Sequence, residues 1–409
     1  MAAAGGGGTP AAAGAGAGGA AAVPAGSGVL ATAGGSPGGR GAAGRGAAGR
    51  GATRGAMAGA AVLFFAVAVA GVTWAKWDPY AHKLATLVGS HLWKGSSILT
   101  AGGVAATSGP SWHAAWSFTV AYGTDIWVAL VAAIGISAAM EALIPPGRVA
   151  GLLDRRTTVA GTIVAGLCAV PAMMCTCCSA PLTVTLRRNG APAASALGWW
   201  LANPVLNPAV LAFMAIVAPW QWVLTRIVVG MVVVVAVPLV ATRLGGPDGD
   251  RSAATSRPLE PATAKVEPFD LGQAPVRFVK AVGRLGITLV PEYFAVVLLI
   301  GAFRGWLAPL GADTLHWGFL AVLVAAVAGV LIVIPTAGEI PVLLGLAALG
   351  VAPAVLGALL ITLPAISLPS MAMVGRALGW RTVAVTAASV AVLGLVGGGF
   401  LAAIGSPHP

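Results

Sequence analysis

Apolar residues run along this chain in blocks of helix length, separated by short polar or proline-marked gaps. The blocks cover about Ala58 to Ala75, Ile126 to Ile144, Val159 to Met174, Ala191 to Val217 and Trp222 to Ala241. After a polar interval they resume at Leu285 to Phe303, Trp317 to Ile334, Ala352 to Val374 and Thr382 to Leu401. Many approach about twenty residues, the length a helix needs to cross a bilayer. None alternates with period two, as the strands of a transmembrane barrel would. The pattern predicts an all-α polytopic membrane protein with about nine apolar segments.

The polar intervals divide the chain. Residues 1–56 are Ala/Gly low complexity with Arg40, Arg45, Arg50 and Arg54 spaced through them, and are expected to form a disordered cytoplasmic tail. Read as a signal peptide, this stretch would have an n-region of roughly fifty residues, so the first apolar run is expected to be retained. Residues 57–110 hold that first helix and an external segment carrying Asp78, His82, Lys83, His91 and Lys94. Residues 244–284, rich in Pro, Asp, Arg and Ser between Gly245 and Pro275, read as a cytoplasmic linker. The linker separates a first permease-like half, 111–243, from a second, 285–409.

Composition sharpens the class. Hydrophobic residues make up 58% of the chain and charged residues 9%, and mean hydropathy is +0.90. Soluble domains carry about 25% charged residues. The net charge of +11 sits at helix ends and in loops, where it sets topology and meets lipid headgroups rather than nucleic acid. No phosphate-binding loop is present, since the glycine-rich tail lacks the Lys-Ser/Thr ending, and no cofactor is expected.

A shift of 160 residues superposes the halves without a gap, placing Gly151 on Gly311, Pro181 on Pro341, Gly190 on Gly350, Pro204 on Pro364 and Trp220 on Trp380. If the runs led by Pro181 and Pro341 return from mid-membrane, each half has an odd number of crossings and the second is inverted. The tail, Arg155, Arg156, Arg187, Arg188 and the linker arginines then share the inner side. Only Lys76, Lys83, Lys94, Arg226 and Arg304 are left outside, as the positive-inside rule prefers. Inverted repeats with broken helices are a common build of secondary transporters, with the site at the breaks. The expected breaks are at Pro181, Pro204, Pro208, Pro341 and Pro364.

Candidate chemistry gathers at those breaks. Cys175, Cys177 and Cys178 fall within one turn, and three thiols in a low-dielectric setting suit a soft, thiophilic solute such as trivalent arsenic, antimony or Cu(I). Cys175 and Cys178 also form a C-x-x-C pair able to close a disulfide. Cysteine is equally a small apolar residue tolerated in helices, which is the reading preferred for Cys168. Asn203 and Asn207, four apart, either offer amides to a substrate or cap helices and bond between them. Ser367 stands at the position matching Asn207. Glu339, where the first half has Ser179, is a candidate for proton coupling or for capping the half-helix beginning at Pro341. Glu292, within its helix, is a second proton-coupling candidate, whereas Asp125 and Glu141 lie near helix ends and read as interfacial.

At Cys175-Thr-Cys-Cys-Ser-Ala-Pro181, Leu186-Arg-Arg-Asn-Gly190 and Leu201-Ala-Asn-Pro-Val-Leu-Asn-Pro208 the chain resembles a predicted-permease family. That family includes the ArsP-type organoarsenical efflux permeases and YraQ-like proteins. Ile340-Pro-Val-Leu, Leu349-Gly350 and Leu363-Pro-Ala-Ile-Ser-Leu-Pro369 carry the likeness in the second half, so that it extends from about Asp125 to Leu401. The family's first break commonly reads Cys-x-Cys, and this chain has Cys-Thr-Cys-Cys. The resemblance implies an inner-membrane permease, some members of which export trivalent methylated arsenicals through membrane cysteines. The expected partners are therefore a small solute or metalloid, carried as substrate on Cys175, Cys177 and Cys178, and the lipid bilayer. A membrane thiol–disulfide oxidoreductase using Cys175 and Cys178, or a permease for another small solute, is the rival reading.

Overall fold

The computed structural model describes residues 41–93, 111–144, 153, 157–245, 271–307, 318–348 and 350–405. The tail before residue 41, the external segment 94–110 and most of the linker lie outside the described residues, as does the side chain of Glu292. Every described element is helical: α1 (Gly41–Val72), a π-helical turn (Thr73–Trp77), α2 (Asp78–Ser90), α3 (Trp112–Leu143), α4 (Thr158–Ala169) and α5 (Thr176–Arg188). Then come α6 (Ala193–Val205), α7 (Pro208–Val217), α8 (Trp220–Leu244), α9 (Ala274–Leu307) and α10 (Phe319–Leu331). Last are α11 (Glu339–Ala348), α12 (Pro353–Ala365), α13 (Leu368–Leu378) and α14 (Trp380–Ile404). The first helix begins at Gly41, inside the stretch expected to be unstructured to residue 56.

Among the described residues, six helices are long and apolar enough to cross a membrane, or seven when the pair α12 and α13, bent by 51°, counts as one span. Two of the apolar runs expected from the sequence fold short of a crossing. The run from Val159 becomes α4 and that from Trp317 becomes α10, at twelve and thirteen residues. At 1.5 Å per residue such helices reach about 18–20 Å, well short of a hydrocarbon core about 30 Å thick.

Element bounds recur at the spacing seen in the sequence. α6, α7 and α8 start at 193, 208 and 220, and α12, α13 and α14 at 353, 368 and 380. Gly190 and Gly350, which turn the chain after α5 and α11, have φ of 87° and 78°, a region that favours glycine. α3 packs along α9, α4 along α6, and α12 and α8 both against α14. Small residues let the backbones approach: a Cβ on Gly357 would stand 2.5 Å from the carbonyl oxygen of Gly397. Large apolar side chains such as Phe65, Trp127, Leu167 and Ile287 face outward, while Trp200, Trp222, Tyr122 and Phe118 are fully buried.

Candidate functional site

Two interruptions of the helices carry the candidate residues. In the first half α4 gives way to a short 3-10 turn (Val170–Ala172), and Met173 adopts a left-handed φ of 51°. Cys175 is extended at the N-cap of α5. The break thus lies at Met173 to Cys175, upstream of Pro181, where the sequence places it. Pro181 is the sixth residue of α5, where it removes the N–H that would bond the Cys177 carbonyl and crowds that carbonyl without ending the helix. Pro341 likewise stands in the first turn of α11, past a break that spans Ile332 to Gly338 and holds Ala337 at φ 69°. Pro204 and Pro208 flank the gap between α6 and α7, and Pro364 ends α12 just before the bend at Ile366 and Ser367.

The first break gathers sulfur. Cys175 Sγ is 3.0 Å from Cys177 Sγ and 3.2 Å from Cys178 Sγ, and all three sulfurs lie within 4.8 Å of one another. All three side chains are buried and none is in a disulfide. The hydroxyl of Tyr122 approaches Cys177 Sγ at 3.5 Å, and the Tyr293 ring lies 6.1 Å from that of Tyr122. Cys168 is exposed on α4, apart from the cluster. Three neutral or singly ionised thiols this close could grip one soft atom, and hard oxygen-seeking ions would find no carboxylate among them.

Neighbouring helices hold this break in place. Asn203 accepts from the Met174 N–H at 3.4 Å and donates to the Trp199 carbonyl at 3.2 Å. Trp200 Nε1 donates to the Thr176 carbonyl at 3.2 Å. Thr176 and Ser367 share a hydroxyl contact at 3.0 Å, so that the N-terminus of α5 meets that of α13 beside the thiols. Asn207 caps α7 by accepting from Ala209 N–H at 3.1 Å and Val210 N–H at 3.3 Å. Its amide nitrogen is buried without a partner among the described residues. Asn203 and Asn207 therefore stand on different helices, because Pro208 supplies no N–H with which α6 could continue.

The second break gathers charge. Glu339, the first residue of α11, is 3% exposed and accepts from Arg226 at 2.9 Å. Arg226 is expected at the outer surface, yet it is fully buried on α8. Its guanidinium also donates to the carbonyls of Pro204 at 2.9 Å and Val205 at 3.0 Å. The Pro204 carbonyl is the one a helical residue 208 would bond, and the Ala209 N–H due to Val205 is taken by Asn207. Arg226 replaces both lost donors. An arginine six residues into an apolar helix was the available signal, and counting it with the loop charges concealed it.

Lys76 is also expected outside and is 6% exposed. It donates to Thr336 Oγ1 at 3.1 Å and Tyr80 OH at 3.2 Å, within electrostatic reach of Cys175 and Cys178. Next to it, Trp77 Nε1 donates to the Pro171 carbonyl at 2.9 Å. The π-helical turn is thereby tied to both breaks. A cavity of about 880 Å³ opens beside it, lined by Lys76, Tyr80, Lys83, Asp125, Thr336 and Ala337 among others. Asp125 is exposed, and Glu141 is ion-paired with Arg284.

A family model described as a predicted permease matches residues 111–401. The protein YraQ of Escherichia coli (strain K12) is 36% identical over 343 residues, which cover 82% of this chain and 93% of that protein. No solved structure matches.

Proposed function

The chain belongs to this predicted-permease family and is a multi-pass membrane protein, and on that premise we propose that it is a secondary transporter exporting a small thiophilic solute, of which a trivalent (organo)arsenical is the leading candidate. It is a transporter rather than an enzyme. The observation that carries this reading is the convergence of Cys175, Cys177 and Cys178 within 4.8 Å at a buried helix break. Two thiols condense with the two hydroxyls of an organoarsenite, forming two As–S bonds and releasing two waters without any redox change. Capture by two of the three leaves the exchange of thiols reversible, as release demands.

Alternating access about the two breaks is the mechanism we infer. The recurrence of α6, α7 and α8 as α12, α13 and α14 at one spacing supports inverted repeats rocking against each other. Glu339 is the proton-coupling group: protonation would dissolve its pair with Arg226 and loosen α11 from α8. Basic residues in the tail and linker support a plasma-membrane protein with a cytoplasmic N-terminus. Asn207, with its free amide nitrogen, and Ser367 serve as polar contacts to the solute.

Metalloid accumulation in cells with and without the protein, across arsenite, methylarsenite and antimonite, tests the reading. Lower accumulation of at least one, abolished by Cys175→Ser, is expected. Equal accumulation in wild type and the three single Cys→Ser variants would defeat it. The 3.2 Å approach of Cys175 and Cys178 favours the thiol–disulfide oxidoreductase as second reading, although burial of both sulfurs opposes access by a partner protein. Maleimide trapping separates the two: protection by the arsenical without disulfide supports transport, and a redox-dependent disulfide supports exchange.

A further inference from the structure

Lys76 presents a buried ammonium with no carboxylate partner among the described residues, and the acidic groups in its electrostatic reach are the thiols of Cys175 and Cys178. An ammonium has three N–H donors, and the partners here are the neutral hydroxyls of Tyr80 and Thr336. Among the described residues it makes no ion pair, while only 6% of it reaches solvent. A buried cation in that position costs several kcal/mol unless an anion joins it. The ring of Tyr80 lies 5.3 Å from Nζ, a weaker electrostatic contact than a carboxylate gives.

The place for an anion is already open. Lys76, Tyr80 and Thr336 all line the 880 Å³ cavity, and Pro335 to Gly338 bring the backbone leading into α11 to its wall. Four charged residues line this space: Lys76 and Lys83, and Asp78 and Asp125. Asp78 is 68% exposed and pairs with His82 at 3.5 Å, and Asp125 is exposed on α3. Lys83 lies over the Trp93 ring at 3.8 Å, which leaves it no carboxylate partner at hydrogen-bonding range among the described residues. Both aspartates are more exposed than Lys76, so the most buried charge lining the cavity is positive.

We propose that Lys76, Tyr80 and Thr336 form a binding site for an oxyanion group, a carboxylate, phosphate or sulfate, at the floor of this cavity. The bound group accepts from the Lys76 ammonium and from the two hydroxyls. The site does not depend on soft-atom capture at the thiols. Its ligand is either a free solute anion or the phosphate of a lipid headgroup entering from the bilayer, which share this chemistry.

Purified full-length protein in detergent is titrated with phosphate, sulfate and acetate, with chloride at equal ionic strength as control, and thermal unfolding is followed. A parallel titration uses nanodiscs with increasing phosphatidylglycerol in place of free anion. The expected result is saturable stabilisation by at least one oxyanion or by the lipid, with apparent affinity falling at least tenfold in Lys76→Met. A response to free anion identifies a solute, and a response to lipid alone identifies a headgroup. Both support the site. Tyr80→Phe and Thr336→Val, which keep the charge, should weaken the same response severalfold and serve if Lys76→Met does not fold. No saturable response in either titration, or equal affinity in all three variants, overturns the proposal. It is also overturned if Lys76→Met changes only the pH profile of thiol alkylation, which would make the cysteines its counter-charge.

Discussion

Arg226 reaches from the second turn of α8 to Glu339 at the first residue of α11, 2.9 Å away and shielded from solvent. The same guanidinium holds the end of α6. One side chain therefore fastens the broken helix of the first half to the break of the second.

Removing one partner should cost far more than removing both. Arg226→Ala leaves a buried carboxylate and two unmet carbonyls, and about 3–5 kcal/mol of stability should be lost. Arg226→Met combined with Glu339→Leu should recover much of it, because the desolvated charges leave together. Thermal unfolding of wild type, Arg226→Met, Glu339→Leu and the double variant in detergent reads this, and a purely additive double variant would contradict the coupling.

The three cysteines should not be equivalent. Cys175 touches both other sulfurs, so that Cys175→Ser destroys both close pairs, whereas Cys177→Ser or Cys178→Ser leaves one. Equilibrium binding of a trivalent organoarsenical should weaken at least a hundredfold in the first and about tenfold in the others, a gap of about 1.4 kcal/mol. Equal losses would contradict the geometry.

Asn207 combines a cap and a free donor. Asn207→Ser keeps an oxygen for the N–H groups of Ala209 and Val210 and removes the unpartnered Nδ2. Stability should change by a few tenths of a kcal/mol, while Asn207→Ala should lose about 1 kcal/mol. Transport that falls in both variants, with stability spared in the first, assigns Nδ2 to the solute.

Pro181→Ala tests where the first break lies. Alanine restores the N–H to the Cys177 carbonyl and relieves the ring's clash, so stability should rise by about 1–3 kcal/mol. Arsenical binding should persist, since Met173 and Cys175 set the break. Loss of binding with gain of stability would return the break to the proline.

The helical membrane class and the recurrence of element starts were legible because both rest on local signals: apolar runs, and prolines, glycines and tryptophans at one spacing. The nine expected segments, by contrast, give six or seven spans among the described residues. The expectation for Pro181 misled because proline marks strain and not its location. The turns use Met173 and Ala337, left-handed residues that carry no glycine signature. Arg226 and Lys76 were taken for surface charges because their partners, the carbonyls of Pro204 and Val205 and the Thr336 hydroxyl, are distant in sequence. The thiol cluster needed no tertiary information to be noticed, and Ser367 was found through its match to Asn207. Its contact with Thr176 was not readable.

The π-helical turn at Thr73 to Trp77 has a mechanical consequence. Trp77 is fastened to Pro171 at one break and Lys76 to Thr336 at the other, through adjacent residues of one helical turn. Neither break can shift far alone without snapping one of these bonds. The segment that carries them, which precedes the stretch matched by the family at residue 111, thus works as a tie-bar between the two breaks.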